Sequence, residues 1–151
     1  MVKDVVRWRH AVHEAGHLLL GMRHGRKIIA VTIDPAGTSL VQLEYPPRLD
    51  SFSDIAEPIR SGDVELGAEE ILIKWGGHAG EFLVFPNVIG DRQDQIEIKN
   101  IAQRFGITNS DQLRKEAIAE VHRERGTLPS LAEALLASTP PTVDELIALA
   151  R

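Results

Sequence analysis

His13-Glu14-Ala15-Gly16-His17, set in a segment from Asp4 to Met22 that reads as a helix, decides how the chain is to be read. A helix turns about 100° per residue, so His13 and His17 leave the same face one turn apart. Two imidazoles at that separation can share one zinc ion. Glu14, beside the first, is placed to take a proton from a water that the metal polarises. The H-E-x-x-H arrangement needs a third ligand and a cleft, and the rest of the chain has to supply them.

The chain has 151 residues, enough for a single domain with a real hydrophobic core. Its 43% hydrophobic and 26% charged residues are ordinary for a soluble globular protein. Net charge is -5 and no dense Lys/Arg block occurs, so nucleic acid is not an expected partner. With no cysteine, disulfides and thiolate metal sites are excluded, and any zinc must be held by histidines and carboxylates. The start, from Met1 to His13, is charged and has no apolar leader. No apolar run approaches the roughly 20 residues that span a bilayer. A soluble, cytoplasmic protein with no membrane association is the expectation.

Along the first helix the apolar positions Val5, Val6, Trp8, Val12, Ala15, Leu18, Leu19 and Met22 fall mostly at helical spacing. His10, His13, His17 and His24 lie near one stripe of it. Lys27 to Ile33 and Thr38 to Tyr45 read as strands joined by a turn at Asp34-Pro35-Ala36-Gly37, and Pro46-Pro47 stops the second. Ser51 and Asp54 suggest a short capped helix through Glu57. A long helix is expected from Asp63 to Phe82, although Gly76-Gly77 in its middle costs roughly 1 kcal/mol of propensity per glycine. That cost implies close packing there, with Gly16 of the first helix as the natural partner. Further helices are expected from Asp91 to Phe105, from a Thr108 or Asn109 cap to Arg125, from Pro129 to Ala137, and from a Thr142/Glu145 capping box to Arg151. The last of these packs on the core or on another subunit. The fold class is α+β, mainly α: a metal-binding helix, a small β-hairpin and a helical C-terminal half.

Residue chemistry alone leaves the third ligand open. His24 is two helical turns beyond His17, too far to share its ion without a break in the helix. His10 precedes His13 by one turn, and its use would move Glu14 away from the metal. His78 sits beside the glycine pair, where a core or supporting histidine is equally natural. His122 reads as a surface residue near a helix C-terminus. Asp91 and Asp94 open the third helix, a place that helix electrostatics favours for acids with or without a metal.

From His13 to His17, through the strands between Ile28 and Tyr45, then Trp75-Gly-Gly-His-Ala-Gly-Glu-Phe-Leu-Val-Phe85 and Gly90-Asp-Arg-Gln-Asp94, the chain resembles the peptidase domain of FtsH-type ATP-dependent zinc metalloproteases. Order and spacing agree over roughly residues 8 to 106, which leaves residues 107–151 as additional C-terminal helices of one domain. Asp34-Pro35-Ala36-Gly37 looks like the family's Pro-x-Gly turn. The resemblance implies that Asp94 is the third zinc ligand, with Asp91 at most a supporting neighbour. It also implies that Glu81, at the first glutamate of the family's A-E-E, supports the site or the helix packing. His78, Gly80 and Phe82 depart from the family's Arg, Ala and Glu, and Ile98-Lys99 from its Ala-Thr. Nothing reads as a phosphate-binding loop of an AAA+ module or as a membrane anchor, so a stand-alone relative is expected.

The implied activity is zinc-dependent hydrolysis of a peptide or unfolded protein segment, with Glu14 as general base. An extended substrate would lie on an edge of the small sheet. A homo-oligomer or a separate partner protein fits the same reading. The alternative is a catalytically silent relative that binds metal or a partner in the old cleft, favoured if His10 or His78 fills the fourth metal position. A third reading, a zinc-dependent regulator protease with F-x-x-x-L-x-x-P after its metal helix, is only loosely echoed by Phe82 to Pro86.

Overall fold

The computed structural model describes residues 5–35, 38–49, 59–137 and 139–151. Six helices and one hairpin follow in the order α1 (Val5–Arg23), β1 (Ile28–Ile33), β2 (Ser39–Leu43), α2 (Asp63–Val84), α3 (Arg92–Phe105), α4 (Ser110–Arg123), α5 (Leu128–Leu135) and α6 (Val143–Ala150). The chain is mainly α with a small antiparallel sheet, the expected α+β class.

α1 is the centre. Ala11, Val12, Ala15, Leu18, Leu19 and Leu20 on it are completely buried, on nearly every side of its middle turns. A helix this apolar all round must be covered on more than one face. Its most extensive neighbour is α2, which brings Ile71, Leu72, Trp75 and Ala79, and α5 covers another face with Leu131 and Leu135. α4 packs on α2, and α3 on α2. α6 reaches α5, α1 and β1 and buries Leu146, so the last helix packs on the core of its own chain.

The expected tight spot at the glycine pair is real. A Cβ built on Gly76 would stand 2.6 Å from the carbonyl oxygen of Gly16, and one on Gly80 would stand 2.7 Å from that of Val12. Real Cβ atoms do not approach so closely. Side-chain-free residues let the two backbones meet, which outweighs their poor helix propensity.

β1 and β2 pair from Ile28 with Leu43 to Ile33 with Ser39, with an irregularity between Ile28 and Ala30. Asp34 and Thr38 close the connection: each backbone N–H donates to the other residue, at 2.9 Å to the Thr38 carbonyl and 2.9 Å to Asp34 Oδ1. Within that expected turn Ala36 and Gly37 lie outside the described residues, as does the expected short helix from Ser51 to Glu57. A single 3-10 turn at Pro47–Leu49 follows the hairpin and buries Leu49. Arg48 then reaches Asp63 Oδ2 at 2.7 Å, anchoring the start of α2.

Several boundaries differ from expectation: α4 ends at Arg123, short of Arg125, and α5 runs Leu128–Leu135 in place of Pro129 to Ala137. α2 continues to Val84, because Pro86 restricts only the residue before it. At the start of α4, Asn109 holds the N-cap position, one of the two residues expected there, but its side chain makes no capping bond. The capping box of α6 is formed, with Glu145 N–H donating to Thr142 Oγ1 at 3.1 Å. No described helix is long and apolar enough to cross a membrane.

Candidate metal centre

The α1–α2 contact fixes where the first two histidines point. Their rings lie over Gly77, where a Cβ would come within 2.6 Å of His17 Nε2 and would also collide with the His13 ring. Only a glycine leaves them this space. α3 then delivers Asp94 from its first turn. Asp94 Oδ2 lies 2.8 Å from His13 Nε2 and 3.0 Å from His17 Nε2, and the two nitrogens are 3.0 Å apart. Among the described residues these three form the one group of histidine and carboxylate atoms close enough to hold a metal ion.

The other ring nitrogens fix the protonation. His17 Nδ1 faces the carbonyl oxygen of Ile73 at 3.0 Å, and a carbonyl only accepts, so Nδ1 carries the hydrogen. His13 Nδ1 donates to Glu81 Oε2 at 2.6 Å. In the neutral rings both Nε2 atoms therefore present lone pairs, aimed at one carboxylate oxygen. Three acceptors converging on one point call for a cation. The donor set, two imidazoles and a carboxylate with their far sides hydrogen-bonded, suits zinc.

Without such an ion, a proton is the cation available. Burial works to lower the His13 pKa, but hydrogen bonds to Asp94 and Glu81, with the charges of both, push it up to about 9. Burial likewise opposes ionisation of Asp94, yet His13 and His17 hold it well below the usual carboxylate range. Glu81 is pushed down to about 2 against its own burial by bonds from His13, Arg9 and the Ile89 N–H.

Glu81 is completely buried and highly connected. Besides His13 it accepts from Arg9 Nη1 at 3.0 Å and from the backbone N–H groups of Ile89 at 3.2 Å and Gly90 at 3.3 Å. It thus ties the α1 histidine to the loop that leads into α3. Arg9 extends the tie, donating to the Asn87 carbonyl at 2.8 Å and lying 4.1 Å over the Phe85 ring. Sequence reasoning missed Arg9. Its position one turn before His13 on the same face was the available signal.

A cleft of about 600 Å³ opens on the cluster, lined by His13, Glu14, His17 and Asp94 together with β2 and α2 residues. Glu14 faces into it, and its Oε1 accepts the Val41 N–H at 2.7 Å, so the β2 edge orients the side chain. His10 stands at the rim with Nδ1 3.4 Å from Asp34 Oδ2. His78 and Asp91 are not brought to the cluster. They pair with each other, Nδ1 to Oδ2 at 2.6 Å, with Gln95 donating to the same oxygen at 2.9 Å. His24 is engaged elsewhere, with Glu120 at 3.0 Å.

Against known proteins, the chain is 27% identical, over 90% of its length, to the ATP-dependent zinc metalloprotease FtsH of Thermobaculum terrenum. It covers 27% of that relative, so the similarity shows a distant relationship to a part of the longer protein. No family model and no solved structure matches the chain.

Proposed function

We propose that this chain is a zinc-dependent metallo-endopeptidase in which His13, His17 and Asp94 hold the ion and Glu14 is the general base. The observation that carries the reading is the convergence of three lone-pair donors, at 2.8 to 3.0 Å, beside a carboxylate that faces the same cleft. The distant similarity to a zinc metalloprotease supports the same assignment.

Bound zinc supplies the Lewis acidity that polarises a scissile carbonyl and makes a water acidic enough to lose a proton near neutral pH. The chain supplies the rest. Glu81 and the Ile73 carbonyl keep the hydrogens of His13 and His17 on Nδ1, leaving both Nε2 atoms for the ion. Val41 N–H fixes Glu14 through Oε1, so Oε2 is the oxygen that takes the proton and later gives it to the leaving amine. A peptide added along β2 finds the Val41 N–H already engaged by Glu14, and pairs instead from Leu43 onward, which also lines the cleft.

A catalytically silent relative would be favoured by a fourth protein ligand. His10 and His78 are the candidates, and they turn to Asp34 and Asp91 instead. Metal content of the purified protein, with Asp94→Ala alongside, tests the site. About one zinc per chain is expected in the wild type, and loss of it in the variant. Glu14→Gln should keep the metal and lose peptide hydrolysis. Full hydrolysis by that variant would refute the base assignment.

A further inference from the structure

Glu70 is 5% exposed and lines the cleft, yet no hydrogen bond or ion pair reaches its carboxylate among the described residues. Lys74 and Arg26, the cations whose charges act on it, make their ion pairs with other carboxylates. Lys74 Nζ is 2.7 Å from Glu97 Oε2, and Arg26 Nη2 is 3.1 Å from Glu69 Oε1. Glu69 also has His24 Nδ1 at 3.7 Å, so of these three carboxylates Glu70 is the one left without an ion-pair partner among the described residues, and it lines the cleft. Burial pushes the Glu70 carboxyl up, with Lys74, Arg26 and His17 only partly opposing it. A buried carboxylate left in this state gains from a cation brought to it.

Its place in the cleft says what that cation is part of. Glu70 precedes Ile73 by one helical turn, and the Ile73 carbonyl holds His17. Ile73, Leu43 and Tyr45 line the same cleft, offering apolar walls for a methylene stem beneath a charged head. Resting on the metallopeptidase reading, we infer that Glu70 is a specificity-determining residue that selects peptides carrying a lysine or arginine side chain next to the scissile bond.

The test separates binding from cleavage. Short fluorescein-labelled alanine–valine peptides, acetylated at the N-terminus, carry a central lysine, arginine, norleucine or glutamate. Their anisotropy is titrated with the zinc-loaded Glu14→Gln protein, alone and combined with Glu70→Gln, with thermal melts to establish that both are folded. Lysine and arginine peptides should bind at least about tenfold more tightly than norleucine, and Glu70→Gln should remove that margin while leaving norleucine binding unchanged. Equal binding of all peptides, or none, would overturn the inference. So would an unblocked norleucine peptide matching the lysine one, which would assign the cation to an α-amino group. Cleavage of the same peptides by the wild type is read separately. A Glu70-dependent basic preference without cleavage would uphold Glu70 and refute the hydrolase reading.

Discussion

Gly16 and Gly76 meet backbone to backbone, with a Cβ on Gly76 falling 2.6 Å from the Gly16 carbonyl oxygen. Neither helix can yield locally, since the obstacle on each side is main chain. Gly16→Ala should therefore push α1 away from α2, at about 1–3 kcal/mol. At roughly 2–4 °C per kcal/mol for a domain of this size, thermal melts of the metal-free protein would register it. Zinc affinity should fall as well, because His17 is carried on the displaced turn. A variant as stable as wild type would refute the close approach.

Glu81→Gln tests the carboxylate behind His13. The amide is nearly isosteric but loses the charge that Arg9 and His13 share. Zinc affinity should drop about 10–100-fold, measured by competition with a chromogenic chelator. Asp91→Asn is the control. It disrupts the pair with His78 and should lower stability while leaving zinc affinity as it was.

Zinc and a proton compete for His13 Nε2. With the metal-free pKa at about 9, zinc binding at pH 7 should release close to one proton per ion from this residue. Calorimetry in buffers of different ionisation enthalpy measures that number directly. Affinity should rise with pH until about 9 and then level. The metal-free protein behaves in the opposite sense. A raised histidine pKa contributes stability that is fully present below the unfolded value near 6.5 and is lost as pH rises through about 9. Urea melts across that window check it.

Glu70→Gln should stabilise the metal-free fold at neutral pH. A carboxyl whose folded pKa is raised binds its proton more tightly when folded, so the wild type loses stability as pH rises from the unfolded value near 4.3 through the folded one. The glutamine variant escapes that loss. Its melting temperature should exceed the wild type's at pH 7 and the margin should shrink in acid.

The helix of the two histidines, the hairpin, the glycine pair and the order of the later helices were all legible from spacing, because those signals are local or reflect one close contact. Asp94 was not legible from residue chemistry, which could not choose between it and Asp91. Both are acids at a helix start, and only the approach of α3 to α1 separates them: Asp94 meets His13, while Asp91 turns to His78. The family resemblance pointed to Asp94. Arg9 shares the His13 face one turn earlier, but its bond to Glu81, the Val41 bond to Glu14 and the lack of a partner for Glu70 among the described residues depend on how distant segments dock, and no pattern along the chain marks those. The missing cap at Asn109 is a plainer case, a favourable residue type whose side chain makes no capping bond.

The contact between His13 and Asp94 closes a loop of chain with a sequence separation of 81. Closing so long a loop is entropically late, because α1, α2 and α3 must already have docked before the two residues can meet. We expect the cluster to form after the rate-limiting step of folding, which folding kinetics with and without zinc would check. An ion bound there should leave the folding rate almost untouched and slow unfolding instead, so that metal acts as a brake on the chain's escape from the native state.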